Sequence, residues 1–271
     1  MAGKKSDIRN ISFQELLDWI LENKFPKFRA KQIYDWLWKK SVTSYDQMPN
    51  VPKAIKDGLK ESFDFSFLTV ADEQVSEDGT VKAAFNTPVK QTVEGVLIPT
   101  SSRMTACISS QAGCSLACKF CATGRLKLLR NLLPGEIYDQ VVYLKNQAAT
   151  RYDINLSNIV YMGMGEPLLN YANVLKSIEH ITSPEGLGIS PKRITVSTAG
   201  IAKMIKKLGD DEVRFNLALS LHAANDAKRT EIMEINDSNN LAALKESLEY
   251  FHERTGTRVT FEYIIFKDFN D

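Results

Sequence analysis

The first part of the chain has the hydrophobic spacing of amphipathic helices. Apolar side chains recur three and four positions apart, at Phe13, Leu16, Leu17, Ile20 and Leu21, and this spacing places them on one helical face. Ser12 precedes this stripe and Glu15 follows three residues later, which is the pattern of an N-terminal capping box. Two further helices are predicted over residues 29–40 and 52–62. Residues 1–65 are therefore predicted to form a small helical domain.

From residue 66 the period changes to the alternation that is typical of β-strands. Three such segments occur between residues 66 and 98: FLTVADEQ, TVKAAFN and QTVEGVLIP. The sequence EDG at 77–79, between the first two segments, is a hairpin signal. Residues 66–100 are therefore predicted to be a β-hairpin extension that links the helical domain to the rest of the chain.

Beyond residue 101, strand-like and helix-like segments alternate. The strand-like runs are MTACISSQ (104–111), LSNIVYMG (156–163), RITVST (193–198), RFNLALSLH (214–222) and RVTFEYIIF (258–266). Helix-like stretches separate them at residues 135–149, 171–182, 199–208 and 240–254. Buried strands that alternate with helices predict βα units and a parallel sheet. No helix follows the last run, and an uncovered strand at a sheet edge is unusual, so residues 101–271 are expected to be an incomplete α/β domain.

The composition is that of an ordinary globular protein. The 271 residues are 44% hydrophobic and 25% charged, with a net charge of +1. The N-terminus has no apolar signal core, and no stretch approaches the roughly 18 apolar residues of a membrane span. The four cysteines all lie between Cys107 and Cys121. Cysteines confined to so short a segment cannot form the disulfide framework that is typical of small secreted proteins. We predict a soluble, cytoplasmic protein with no membrane partner.

Local charge raises the question of a nucleic-acid partner. Residues 1–60 carry 12 Lys and Arg against 7 Asp and Glu, and residues 116–130 carry four bases and no acid. A solvated surface accounts for patches of this size, and a polyanionic partner is the alternative. Several aromatic residues fall in the predicted helices and are interpreted as core rather than as base-stacking platforms: Trp19, Tyr34, Trp36 and Trp38.

The segment GCSLACKFCATG carries the strongest chemical signal. Cys114, Cys118 and Cys121 follow a C-x3-C-x2-C spacing directly after the first strand of the α/β series. Three thiolates in one loop can bind three irons of a [4Fe–4S] cubane, and the open fourth iron can chelate S-adenosylmethionine (SAM). Zinc is the rival, with Cys107 as a fourth ligand, although Cys107 lies on the strand rather than in the loop. Unligated, buried cysteines are a further alternative.

Several blocks of the chain together resemble one enzyme family. The segment CKFCATG lies between ISSQAGC and RNL, and MGMGEPLLNY follows downstream. With FRAKQIYDWLW, VEGVLIP, ITVSTAG, LALSLHAAND and GTRVTFEYI, these closely resemble the dual-specificity 23S rRNA and tRNA adenine-C2 methyltransferases of the radical-SAM superfamily. The resemblance runs over nearly the whole chain. It implies a partial (β/α)6 barrel after a small N-terminal helical domain that helps to grip RNA.

The resemblance also assigns roles to individual residues. It implies that Cys114, Cys118 and Cys121 hold the [4Fe–4S] cluster. The SAM contacts that it implies are Gly165, Glu166, Ser197, Ser220, Leu221 and His222. Without the resemblance, GMGE is an ordinary strand-to-helix turn, Ser197 a helix cap, and His222 a structural histidine. Glu94 matches the proton acceptor of the family, and Cys107 matches a cysteine that forms a disulfide with a methyl-carrying cysteine.

The mechanism that the resemblance implies has two stages. One SAM methylates a cysteine near the C-terminus of the enzyme, and a second SAM, cleaved at the cluster, yields a radical that takes hydrogen from that methyl group. The resulting carbon radical adds to adenine C2, Glu94 removes the C2 proton, and Cys107 releases the product as the disulfide forms. The base must be unstacked for this reaction, which RNA loops permit better than duplexes. Flavodoxin or a similar donor supplies electrons, and the enzyme is expected to be a monomer.

The sequence departs from the family at one point. The methyl-carrying cysteine belongs to a C-terminal segment that includes the sixth strand, and this chain ends at FKDFND before reaching it. The chain is therefore expected to be a C-terminally truncated enzyme that carries the cluster but does not methylate RNA. Three alternatives stay open: an adenine-C8 methyltransferase that confers antibiotic resistance, a different radical-SAM reaction, and a non-catalytic, zinc-stabilised RNA-binding protein.

Overall fold

The structure, a computed structural model, describes residues 5–271. Its helices are α1 (Phe13–Glu22), α2 (Phe28–Trp38), α3 (Lys53–Ser62), α4 (Pro134–Tyr152), α5 (Tyr171–Thr182), α6 (Ala202–Asp210), α7 (Asp226–Ile232) and α8 (Leu241–Thr255). Its strands are β1 (Thr69–Val75), β2 (Val81–Asn86), β3 (Thr92–Pro99), β4 (Met104–Cys107), β5 (Gln111–Ala112), β6 (Arg130–Asn131), β7 (Asn158–Tyr161), β8 (Ile194–Thr198), β9 (Asn216–Ser220) and β10 (Val259–Glu262). Every predicted helix is present within three residues of its predicted ends, while α7 was not predicted.

The capping box of α1 is formed as predicted. The Ser12 hydroxyl accepts a hydrogen bond from the Glu15 amide at 3.1 Å, and the Glu15 carboxylate accepts one from the Ser12 amide at 2.6 Å. These two bonds satisfy backbone donors that the first helical turn leaves without partners. The local sequence therefore fixes where this helix begins.

Aromatic side chains join the N-terminal helices to the rest of the fold. Trp38 is only 2% exposed and stacks face to face on His180 of α5, with ring centroids 3.6 Å apart. It also meets Tyr138 of α4 edge to face. Trp19, Tyr34 and Trp36 are half-buried and pack against the same core. The interpretation of these aromatics as core is confirmed.

Eight strands form one continuous sheet in the order β1-β2-β3-β4-β7-β8-β9-β10. The first four pair antiparallel, and the five strands from β4 to β10 pair parallel, as their alternation with helices predicted. Within residues 66–100, β1, β2 and β3 extend this sheet, because β3 pairs with β4 along four residues. The fold is an α/β fold with a mostly parallel sheet, preceded by a helical region.

The two faces of the parallel strands differ in chemistry. One face is apolar and buried beneath the helices: Ile159, Tyr161, Ile194, Val196, Leu217 and Leu219. Residues in register, and residues two apart on one strand, lie on the same face of a sheet, so the other face carries several polar side chains: Cys107, Thr195, Ser197, Asn216, Ser220 and Glu262. This polar face is the inner surface on which a ligand can be bound. Among residues 5–271, no helix is long and apolar enough to cross a membrane.

Candidate active site

A cavity of about 200 Å³ lies where the parallel strands end at their carboxyl edge. In a barrel of parallel strands, this edge is where ligands and reacting groups meet. Most of the predicted site residues line this one cavity: Cys114, Cys118, Cys121, Gly165, Glu166, Ser197 and Ser220. Residues that are up to 106 positions apart in the sequence therefore converge as expected.

The three cysteines lie in a tightly wound loop between β5 and a short 3-10 turn at Thr123–Arg125. Gly124 is required here, because a Cβ atom at this position would lie 2.5 Å from the carbonyl oxygen of Cys118. Pairing of β5 with β6 closes the two ends of the loop. The Lys119 amide donates to the carbonyl of Ile232 at 3.0 Å, which anchors the loop to the end of α7.

The thiols fit a cluster that binds each sulfur through a different iron. A cubane takes one thiolate for each iron. The three thiols line one cavity, and this arrangement meets that requirement. Burial raises the pKa of Cys118 to about 11 and also raises that of Cys114. Binding of iron must therefore displace protons from these thiols.

The segment MGMGEP forms the wall beside the cysteine loop. Gly165 has a φ of +95°, and a Cβ atom there would lie 2.4 Å from the Cβ of Gln111. The Gln111 side-chain oxygen accepts a hydrogen bond from the Glu166 amide at 2.8 Å. The Glu166 carboxylate is 3% exposed and accepts from the amides of Leu168 (3.0 Å) and Ala199 (2.7 Å). Burial raises the pKa of Glu166, while these amides favour its ionised form.

Leu221 and His222 continue the chain beyond β9 but do not line the cavity. His222 has a φ of +54°, a conformation that non-glycine residues seldom adopt outside functional or strained sites. Its Nδ1 atom accepts from the Ile264 amide at 3.2 Å, so the proton of the neutral ring lies on Nε2. The ring meets Phe120 of the cysteine loop edge to face, at 4.6 Å between centroids. Burial lowers the pKa of His222.

Glu94 and Cys107 also lie outside the cavity lining. Cys107 is opposite Val96 in the pairing of β3 with β4, and Glu94 lies two residues before Val96, so Glu94 and Cys107 share one face of the sheet. The Glu94 carboxylate forms a 2.7 Å ion pair with Lys82, and both side chains are nearly half exposed. Cys107 is mostly buried, and this raises its pKa to about 11. None of the four cysteines is in a disulfide.

Two residues of the site were not predicted from the sequence. Glu262 ends β10 and lines the cavity, and its Oε2 atom accepts from the hydroxyls of Ser197 and Ser220. Arg229 of α7 is fully buried, and its guanidinium donates to backbone carbonyls at the ends of β8 and β9. It fixes the strand ends that carry the site. No local signal marks either residue, because their partners are 8 to 65 positions away in the sequence.

Two protein families match this chain, each over a different range of residues. Residues 108–271 match the radical SAM superfamily. Residues 6–64 match the N-terminal domain of the ribosomal RNA large subunit methyltransferases.

Individual relatives agree with the family matches. A protein of Cytophaga hutchinsonii described as a probable dual-specificity RNA methyltransferase RlmN is 58% identical, over 99% of this chain and 73% of its own length. One of Christiangramia forsetii with the same description is 52% identical, over 100% of this chain and 77% of its own length. The crystal structure of a radical SAM methyltransferase from Sphaerobacter thermophilus superposes with a TM-score of 0.91 at 35% identity, covering 98% of this chain and 78% of that one.

These matches extend over both the helical region and the barrel. Enzymes of this superfamily use a [4Fe–4S] cluster and SAM, and these are the cofactors of this chain. The cysteine loop and the cavity beside it have the chemistry that both cofactors require. The chain belongs to the radical-SAM superfamily and, within it, to the RlmN-type RNA methyltransferases.

Proposed function

We propose that this enzyme serves the methylation of C2 of adenine in 23S rRNA and tRNA through a methyl-cysteine intermediate, with the methyl group carried by a cysteine other than the four in this sequence. One observation carries the proposal: three cysteine thiols and four of the implied SAM contacts line a single cavity at the carboxyl edge of the sheet. The relatives described as dual-specificity RNA methyltransferases support the substrate class. An RNA substrate in turn implies a cytoplasmic location.

The cofactors would be held by the residues of the cavity. Cys114, Cys118 and Cys121 would bind the cluster, which supplies the electron that cleaves SAM when both are bound. Gly165 and Glu166 would face SAM from one wall. The absence of a side chain at Gly165 lets its backbone pack closely against Gln111, and the amides that bind Glu166 hold its carboxylate in place.

SAM would meet four further residues around the other walls. Ser197 and Ser220 line the cavity directly, whereas Leu221 and His222 shape the end of β9. The contact of His222 with Phe120 joins this strand end to the cysteine loop.

Glu94 and Cys107 would act on the RNA base. Glu94 is exposed enough to meet a base, and its carboxylate, which pairs with Lys82, would serve as the proton acceptor. Cys107 shares the face of Glu94 and would resolve the protein–RNA adduct by attacking the sulfur of the methyl-carrying cysteine, so that an S–S bond forms as the S–C bond to the base breaks and the released carbon takes a proton. At its raised pKa the thiol is protonated at neutral pH, so this step requires removal of the thiol proton.

The RNA would contact the surface beside the cysteine loop. Residues 116–130 include Lys119, Arg125 and Lys127, all exposed, and no acid. Phosphate groups favour such a surface electrostatically. The helical region at residues 1–65 adds a local excess of bases and would serve as an accessory RNA-binding domain; residues 1–4 lie outside the described part of the chain.

Deletion of the gene in its host tests the specificity. Nucleoside mass spectrometry of 23S rRNA and tRNA should then show the loss of 2-methyladenosine from both. Loss of 8-methyladenosine instead would show that the enzyme belongs to the C8 class. Unchanged methylation of both RNAs would refute the proposed substrates.

A further inference from the structure

A cavity separate from the active site lies at the opposite edge of the parallel sheet. This amino-edge cavity has a volume of about 760 Å³ and is lined by residues 190–192, 212–214, 216 and 254–258, which precede or begin β8, β9 and β10. In barrels of parallel strands the chemistry takes place at the carboxyl edge, whereas the amino edge usually serves stability. None of the residues assigned to the proposed reaction belongs to this lining.

The lining of the amino-edge cavity is strongly basic. Lys192 lies on the short turn before β8, Arg214 lies two residues before β9, and Arg258 immediately precedes β10. Arg254 in the last turn of α8 also lines the cavity, and among residues 5–271 the lining includes one acid, Glu212. Four bases and one acid leave a net charge of +3. The acid is itself engaged, because Glu212 pairs with Arg254 at 2.8 Å.

The other three bases have no acidic partner in the described part of the chain. Within residues 5–271, no ion pair includes Lys192, Arg214 or Arg258. All three side chains are exposed. Like charges that lie together repel each other, and a cleft lined by one sign of charge concentrates ions of the opposite sign. The fold therefore presents a surface for anions at this edge.

The form of this surface favours an extended anion over a small one. Its bases come from three separate chain segments and are exposed, whereas a small-molecule site buries most of its ligand. A nucleic-acid backbone instead offers a row of phosphates to exposed Lys and Arg side chains. Hydroxyl and amide side chains, which also bind phosphate and sugar oxygens, complete the lining: Ser190, Asn216, Thr255 and Thr257.

Strand β9 separates this surface from the active site. Asn216 at its amino end lines the amino-edge cavity, and Ser220 at its carboxyl end lines the active-site cavity. Five residues at about 3.3 Å each make this strand roughly 17 Å long. An RNA with its target adenine in the active site must extend around the barrel to reach Arg214 and Arg258. We expect a large folded RNA, and not a short hairpin, to do so.

We propose that the amino-edge cavity is a second RNA-binding surface, which binds the phosphate backbone of a large RNA while the target adenine lies at the opposite edge. The proposal rests on the proposed RNA substrate and adds to it a contact that is remote from the reaction. Phosphate contacts position a nucleic acid without reading its sequence. This surface therefore selects an RNA by its size and fold rather than by the bases around the target adenine.

RNA binding with matched charge changes tests the proposal without turnover. The double variant Arg214→Glu, Arg258→Glu is compared with Lys203→Glu, Lys245→Glu, which makes the same change of charge on exposed side chains of α6 and α8. Affinity is measured over a salt series for a short hairpin that carries the target adenine and for a long 23S rRNA fragment that contains this hairpin. For the long fragment, the loss of two phosphate contacts should lower the slope of log affinity against log salt by roughly 1.4 to 1.8. Hairpin binding should be unchanged, and the control variant should behave like the unaltered protein with both RNAs.

Three results would overturn the second surface while leaving the proposed function intact. An unchanged slope for the long fragment would mean that the cavity is only a solvated basic face. Equal losses with the hairpin and the long fragment, or equal losses in the control variant, would assign the effect to net charge alone. An unaltered protein that binds neither RNA would refute the proposed function itself. Thermal unfolding confirms that each variant is folded.

Lys192 provides a readout that needs no variant. Its exposed amine is acetylated with an amine-reactive reagent, and the extent of modification is read by mass spectrometry of the digested protein. The long fragment should protect Lys192 and the hairpin should not, while Lys203 should react equally in all samples. Full modification of Lys192 in the presence of the bound long fragment would contradict the proposal.

Discussion

Arg9 and Asp139 form a bidentate ion pair that joins the N-terminal segment to α4. The guanidinium nitrogens Nη1 and Nη2 donate to Oδ1 at 2.5 Å and to Oδ2 at 3.0 Å. The side chains are only 6% and 16% exposed. The same guanidinium donates to the Ser66 carbonyl, and the Leu68 amide donates to the Asp139 carboxylate. This pair therefore connects the helical region, the first strand and the barrel.

Asp139→Asn should destabilise the protein by about 3 kcal/mol, because it leaves the buried charge of Arg9 without a partner. The measurement is the free energy of unfolding in urea. Lys206→Ala removes an exposed ion pair with Glu246 and should cost less than about 1 kcal/mol. Equal losses in both variants would show that the buried pair has no special role in holding the two regions together.

Gly124→Ala should lower the iron content of the protein while the rest of the fold persists. The added methyl group would meet the Cys118 carbonyl at 2.5 Å, so the backbone that carries a proposed cluster ligand must shift. Iron and sulfide analysis after anaerobic reconstitution measures the effect. Gly188→Ala is the control, because its φ of +66° makes the alanine strained while no atom lies within 4 Å of the added group. It should lose about 1 kcal/mol of stability and no iron. Full iron in Gly124→Ala would contradict the loop geometry.

Stability should fall as the pH is lowered from 7 toward 5, in part because of His180. Burial, with the nearby charges of Lys176 and Arg9, lowers the pKa of His180 to about 3. The unfolded chain has a histidine pKa near ~6.5 and binds the proton first, so the folded state is favoured above pH 6.5 and loses that advantage as the pH falls. The slope from one such group is at most about 1.4 kcal/mol per pH unit. Urea unfolding across this range should show a smaller slope for His180→Phe, which keeps the stacking on Trp38. An unchanged slope would assign the pH effect to other groups.

The local parts of this fold could be predicted from the sequence, and the non-local parts could not. Helix α5 was predicted over residues 171–182, which are its observed bounds, because helical periodicity and end signals lie within the segment itself. The pairing of β3 with β4 could not be predicted, since alternation identifies a strand but not its neighbour. In the site, the cysteine spacing is a local signal. The contacts of Glu262 join it to serines 42 and 65 residues away, so they required the structure.

Replacement of Arg125 and Lys127 by Glu should weaken RNA binding and reduce its salt dependence. Both side chains are exposed beside the cysteine loop. Each lost phosphate contact should lower the slope of log affinity against log salt by roughly 0.7 to 0.9. Fluorescence polarisation with a ribosomal RNA hairpin over a salt series measures both quantities. Lys245→Glu, on a side chain of α8 that is 76% exposed, is the control and should have a smaller effect. Equal effects in the two proteins would mean that the acid-free surface is only a solvated face.

The 271 residues, reconstituted with the cluster and reduced, should cleave SAM to 5′-deoxyadenosine and leave RNA unmethylated. The reason lies in the cysteines: three are proposed cluster ligands, and Cys107 is the proposed redox partner, so none of the four in this sequence is left to carry a methyl group. Chromatography of the nucleoside products and mass spectrometry of digested 23S rRNA measure the two outcomes in one reaction. Cys118→Ala should abolish 5′-deoxyadenosine formation, because a cluster with two thiolate ligands is not held. Cys107→Ala should leave it unchanged, since Cys107 lies outside the cavity lining. Methylated adenine formed by this sequence would require one of these thiols to have a second role, and loss of that product in Cys107→Ala alone would identify which one.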